Sequence, residues 1–229
     1  MNKLCKNIIM KSISVLTSVI IIFSLGFSCF ADEKSDSNDS TDPYQLIMDK
    51  LNEEYGTNVH YPTMEECELY NITFEKITVP LDEFERNLRK DIEADLAATA
   101  EAKELARKGS SSEVEGIESG SCSDSKEVLR SSQTVIRTKN VPGATVHLKA
   151  TVSDYGNYWH YSSVQNVWAT WTDGYNSTPM FFLESYTYSF RDSRRTCFVE
   201  LYGCTMNSQM IVINSNAYRS VEFYASSGM

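Results

Sequence analysis

The chain has 229 residues, a formal net charge of −10 at pH 7 and 26 aromatic residues. Residues 32–127 hold 25 acidic and 10 basic side chains, a net of −15, whereas residues 128–229 hold 6 and 8, a net of +2. The first stretch repels phosphates and anionic lipid surfaces and the second is too weakly basic for a nucleic-acid footprint, so DNA, RNA and membrane surfaces are set aside as partners.

Residues 1–31 read as an export signal. Lys3, Lys6 and Lys11 form a basic start, an apolar stretch covers residues 13–27, and Ser28-Cys29-Phe30-Ala31 offers a cleavage site before Asp32 and Glu33. Ser and Thr interrupt the apolar stretch and no stop-transfer pattern flanks it, which favours removal over a retained anchor. Bulky Phe27 is a poor lead-in for a lipid on Cys29. Release into the medium is therefore expected, since Ser226-Ser227-Gly228-Met229 shows no wall-sorting motif. Beyond the signal stand Cys67, Cys122, Cys197 and Cys204, which allow two disulfides in three connectivities in an oxidising compartment. Cys197 can reach Cys204 only if the chain turns near Gly203. No zinc-ligand spacing and no cofactor signature is present, so neither a metal nor a cofactor is expected.

Residues 32–41 are polar and repetitive, a disordered lead. Asp42 caps a helix opened by Pro43, with Gln45 placed for a capping box; Leu46, Ile47, Leu51 and Tyr55 are its expected inner face, and Gly56 ends it. Thr63 and Glu66 repeat the capping signature for a short helix to Tyr70. Residues 74–79 alternate like a short strand. Pro80 launches the longest helix, about residues 81–108, with an apolar line of Phe84, Leu88, Ile92 and Leu96 and a stop at Gly109. Residues 109–132 read as a Ser/Gly-rich linker.

From residue 133 the period becomes two. Strands are expected at 134–139, 144–152, 163–172, 180–190, 196–202, 209–214 and 220–225, with turns at Pro142-Gly143, 154–157, Asp173-Gly174, 176–179 and 214–216. The fold class follows: α+β in two parts, an acidic helical region over 32–108 and an all-β antiparallel sandwich over 133–229.

Catalytic signatures are weak. His60, His147 and His160 are the only histidines, and no Gly-x-Ser-x-Gly elbow or His-Glu-x-x-His accompanies them. Glu184 and Glu200, in strands among aromatics, are the one pair that suggests glycoside hydrolysis. Arg191, Arg194 and Arg195 form a basic turn, read by default as solvated, that is alternatively suited to an acidic patch on a partner or on the chain's own N-terminal region. The densest signal is aromatic: 12 of the 26 aromatics fall within residues 155–190 and nine of those are Tyr or Trp. Such residues offer large rigid area with a polar tip. A two-layer structure buries one face of each strand, so Tyr158, Trp159, Tyr161, Trp171, Tyr175, Tyr186 and Tyr188 are the candidate binding residues.

Residues 51–58, Leu-Asn-Glu-Glu-Tyr-Gly-Thr-Asn, with Leu81-Asp82-Glu83-Phe84-Glu85 resemble the N-terminal part of small secreted proteins of low-GC Gram-positive gut bacteria, and the region from Thr134 is similar to their tails. Some proteins of this layout are immunoglobulin-binding superantigens. The residues point to a secreted, non-enzymatic protein that binds a host or environmental macromolecule, and the resemblance implies its sharpest version, an immunoglobulin variable domain. Carbohydrate binding, a toxin or bacteriocin role and an unrecognised hydrolase are the alternatives.

Overall fold

A computed structural model describes residues 42–111, 129–156, 158–172 and 178–226, with the side chains of 109–111 excepted. Three helices, α1 (Pro43–Tyr55), α2 (Met64–Tyr70) and α3 (Leu81–Ser111), precede six strands. The Asp42 carboxylate accepts from the Tyr44 N–H and caps α1, and Gly56 closes it at φ 65°. Gln45 does not complete a capping box, because its amide donates along the helix to Asp49. Thr63 and Glu66 do form the reciprocal box on α2. The stretch 74–79 is not a strand; Ile77 is buried and Phe74 and Val79 are half-buried against the helices. Its alternation records packing rather than a ladder. α3 runs through Gly109 instead of stopping there.

The strands are β1 (Ser131–Val141), β2 (Ala144–Asp154), β3 (Trp159–Trp171), β4 (Met180–Arg191), β5 (Thr196–Met206) and β6 (Val212–Tyr224). They form two three-stranded antiparallel sheets in the orders β1-β2-β3 and β4-β5-β6, which gives an α+β fold. The seven expected strands are six, because the last two are continuous. Asn214-Ser215-Asn216, a turn signal in the sequence, is absorbed as a bulge: Thr205 pairs with Asn214 and Gly203 with Ala217. Gly143, at φ 83°, turns β1 into β2, and its carbonyl accepts N–H groups of Thr172 and Phe181. A Cβ there would lie 2.1 Å from the Pro179 carbonyl oxygen, so only glycine fits.

Alternate residues of the two sheets share one buried cluster, with Leu148, Val152 and Val167 from the first and Phe181, Leu201 and Phe223 from the second. A second cluster joins Met48 and Leu51 of α1 and Phe84, Leu88 and Ile92 of α3 to Ile211 and Ile213 at the start of β6. A third sets Tyr70 and Ile72 against Phe182, Cys204 and Met206. The described residues thus form one compact unit. The expected inner face of α1 is corrected at Leu46, which is 53% exposed while Met48 is buried. On α3 the apolar line leaves Leu96, 40% exposed, and continues through Asp95, Ala98 and Ala102. Each four-residue step rotates a stripe by about 40°, so three-residue steps must return it to the partner. Among the described residues no helix is long and apolar enough to cross a membrane.

The step to Asp95 serves a buried ion pair. Arg219 of β6 is fully buried and its Nη2 lies 2.7 Å from Asp95 Oδ1. The other Asp95 oxygen accepts from the Asn214 amide at 2.8 Å. Arg219 also donates to Thr99 Oγ1, to its neighbour's carbonyl at Tyr218 and to the carbonyl of Pro142 in the β1–β2 turn. One guanidinium therefore joins α3 to both sheets. Removing a single partner strands a buried charge, whereas removing both does not. Arg219→Met or Asp95→Leu alone is expected to cost about 3–5 kcal/mol in urea unfolding, with most of it recovered in the double variant.

One turn earlier, Asp91 meets the buried Asn207 side chain of the β5–β6 turn, and burial raises its carboxyl to about 6. A carboxyl raised in the folded state holds its proton longer there than in the unfolded chain. Its contribution to stability is present below the ordinary aspartate pKa near 4 and is lost as pH rises through 6. Asp91→Asn should flatten the stability profile between about pH 4 and 6 and add about 1–2 kcal/mol at pH 7, measured by urea unfolding across pH.

Candidate functional site

The structure separates the predicted aromatic set. Opposite the inward residues of β2, β3 turns Trp159, Tyr161 and Trp171 to the same side, while Trp168 lies on the other face and stacks on His147 at 5.0 Å. Tyr161 is corrected from binding residue to core: it is 0% exposed and stacks on Phe190. Among the described residues its buried hydroxyl makes no well-formed hydrogen bond, although Arg137 lies beside it, and burial pushes its pKa up. Trp159 and Tyr186 are half-buried against the shared cluster. Tyr158 is half-buried beside His160. Trp171 is 51% and Tyr188 45% exposed. Tyr175 lies outside the described residues.

Strict alternation would send Tyr186 and Tyr188 away from Phe181 and Leu183. A bulge at Glu184 reverses this: Leu183 pairs with Gly203 and Ser185 with Tyr202, leaving Glu184 as the extra residue. Beyond it Tyr186, Tyr188 and Phe190 stand opposite Leu201, Val199 and Cys197, all core residues. β4 is the edge strand farthest from β6, and the long helix packs mainly on β6. Trp171 at one end, its ring centre 6.2 Å from that of Phe182, and Tyr186 and Tyr188 farther along β4 make a broken aromatic strip on the edge away from that helix.

The outer face of the first sheet has a different character. Its rows read Asn140, Thr145, Thr170; then Thr138, His147, Trp168; then Ile136, Lys149, Asn166; then Thr134, Thr151 and Ser163. Only Lys149 among these is charged. Side chains are tied across the strands, Thr145 to Asn140 at 2.9 Å, Gln165 to Thr151 at 3.0 Å, and His147 between the Thr138 and Thr170 hydroxyls.

The outer face of the second sheet carries tyrosines and carboxylates that the aromatic density of residues 155–190 does not signal. Arg191 lies 3.6 Å from the Phe198 ring centre and pairs with Glu222 at 3.1 Å. Glu200 accepts from the Tyr218 hydroxyl at 2.9 Å and from Thr187. Glu184 accepts from Tyr70. Glu200 and Glu184 are thus offset along the sheet, each engaged with its own hydroxyls. The basic turn is corrected too. Besides the Arg191 pair, Arg194 donates to the Tyr161 and Ser162 carbonyls and lies over Phe190, so neither awaits an acidic patch. Asp192, Ser193 and Arg194 all hold positive φ, and the bonds from Arg194 to β3 keep that turn in place.

Cys67, Cys197 and Cys204 are free thiols, and Cys122 lies outside the described residues. A Cys197–Cys204 bridge is ruled out by the strand itself. The expected turn at Gly203 is continuous strand, paired on both sides and flanked by bulges in its neighbours, where glycine is needed because a Cβ would lie 1.9 Å from the Phe182 carbonyl oxygen. The two thiols sit in different clusters, and burial raises each to about 12. No protein-family model, curated protein or solved structure matches this chain.

Tyr161→Phe, which removes only that poorly bonded hydroxyl, is expected to leave the thermal midpoint equal or higher, whereas Tyr161→Ala should cost about 3–5 kcal/mol. Thermal and urea unfolding of the two variants check this.

Proposed function

We propose that the chain is an exported, non-catalytic binding protein built on a two-layer β-sandwich, and that it recognises a host macromolecule, in the sharpest form an immunoglobulin variable domain. The exposure of Trp171 and Tyr188 on the β3–β4 side carries this reading. Both present rigid area with a polar tip, and half-buried Trp159 and Tyr186 lie on the same inward faces of β3 and β4. Interface hot spots favour these residue types. The basic start and apolar stretch of residues 1–31 support export, and the preference for an immunoglobulin over other host proteins rests on the resemblance of residues 51–58 and 81–85 alone.

Carbohydrate binding is the second reading. It is favoured by the outer face of β1-β2-β3, where Trp168 stands among threonine hydroxyls and asparagine amides with a single charge nearby. An indole face with neutral hydrogen-bonding groups suits an uncharged sugar.

Affinity capture from serum separates the two. Trp171→Ala and Tyr188→Ala should each lower immunoglobulin capture by about 30-fold, at about 2 kcal/mol for each hot-spot ring, and the double variant by several hundred-fold, with little change in thermal midpoint. Capture untouched by that variant but competed by neutral glycans and lost in Trp168→Ala overturns the immunoglobulin reading in favour of the sugar.

A further inference from the structure

We infer that Glu200, Tyr202 and Tyr218, on the outer face of the β4-β5-β6 sheet, form a recognition site for an arginine side chain presented by a partner protein. The site is distinct from the β3–β4 aromatic strip and does not depend on it.

The argument begins with an arrangement the same face already contains. Phe198 of β5 and Glu222 of β6 stand opposite one another in register, a ring beside a carboxylate. Arg191 fills that arrangement, its guanidinium 3.6 Å from the ring centre and 3.1 Å from a Glu222 oxygen. Two and four residues further along β5, on the same face, come Glu200 and Tyr202, with Tyr218 opposite Tyr202. Ring and carboxylate are again adjacent, but β4 offers no cation there: Thr187 stands opposite Glu200, and Ser185 opposite Tyr202. Among the described residues Glu200 takes part in no ion pair. Its partners are two hydroxyls, Tyr218 at 2.9 Å on one oxygen and Thr187 at 3.3 Å on the other.

The chemistry selects the occupant. Each Glu200 oxygen accepts one hydroxyl hydrogen and keeps a lone pair, so the carboxylate can still receive two parallel N–H groups. The Tyr202 and Tyr218 rings lie 5.5 Å apart at 57°, and Tyr202 is 39% exposed. Electron-rich ring faces next to an uncompensated anion attract a cation, and a planar guanidinium satisfies both the fork and the stack where an ammonium satisfies only the charge. Burial and Glu200 together raise the Tyr218 hydroxyl pKa, so it stays a neutral donor to the carboxylate. Glu184, exposed on the neighbouring edge strand and also without an ion pair among the described residues, adds to the negative potential. Thr187 and Ser189 on β4 are small and exposed, which leaves the approach low. The setting is an open sheet face, suited to a side chain delivered from a protein surface.

The test uses the exported chain, residues 32–229, and two probes, the peptides Ac-Gly-Ser-Arg-Gly-Ser-NH2 and its lysine counterpart, titrated in low salt while the tyrosine ring resonances are followed by NMR. The expected result is saturable shifts at Tyr202 and Tyr218, at least fivefold tighter for arginine than lysine, and weakened tenfold or more by Glu200→Gln. Trp171→Ala with Tyr188→Ala should leave the response unchanged, which keeps this result separate from the fate of the strip. Should Glu200→Gln lower the thermal midpoint, Tyr202→Ala, whose ring lies outside the core, gives the same reading. Shifts absent at both tyrosines, equal for the two peptides, or retained in both variants would overturn the proposal.

Discussion

Arg219 places a guanidinium where no water reaches, and much of the molecule is arranged around it. Its charge is met by Asp95, its other donors by Thr99, Tyr218 and Pro142, and its flat face lies toward Phe181. A charge so enclosed is tolerable only when nearly every hydrogen-bonding group is satisfied, so the position of α3 along β6 and that of the β1–β2 turn are specified together. Apolar packing alone would let α3 slide by a turn along its stripe. The ion pair, with the Ser220 hydroxyl donating to the Ala102 carbonyl, defines one register.

That constraint also shapes the surfaces. With the long helix committed to β6, the opposite edge of the sheet at β4 is left to the aromatic strip. The bulge at Glu184 then decides which side chains the strip contains. One extra residue exchanges the two faces of a strand, so Tyr186 and Tyr188 lean over the core edge instead of standing with Phe182 on the outer face. Between the bulge and Arg191 the outer face of β4 carries only Ser185, Thr187 and Ser189, and the tyrosines and carboxylates of β5 and β6 rise above them. Two chemically different faces of one sheet thus follow from a single inserted residue.

Much of this architecture was legible from residue patterns. The cap at Asp42, the box at Thr63 and Glu66 and the αL glycine at position 56 are local bonds, made within a few residues, and the structure forms them as their sequence implies. The alternation from Ala144 to Val152 is likewise a local record of burial. Where the partner lies far along the chain, pattern misleads. Leu96 continues a four-residue spacing yet faces solvent, because β6 turns the contact line toward Asp95. Residues 74–79 alternate without pairing, and 214–216 carry turn residues yet lie within a strand, because the ladder with β5 outweighs local preference.

By itself the sequence determined the class, three helices followed by antiparallel strands, together with the concentration of Tyr and Trp that directs attention to recognition, since secondary structure and composition rest on nearby residues. Only the tertiary structure decided which aromatics are available. Tyr161 is enclosed and Trp171 is not, although they share one face of one strand, because burial depends on what the other sheet places above each position. The same holds for the tyrosine–carboxylate face, whose members Thr187, Glu200 and Tyr218 are separated by up to 31 positions and meet only through strand pairing. Contacts of that kind depend on register, and register is set by the whole sheet rather than by any one of its strands.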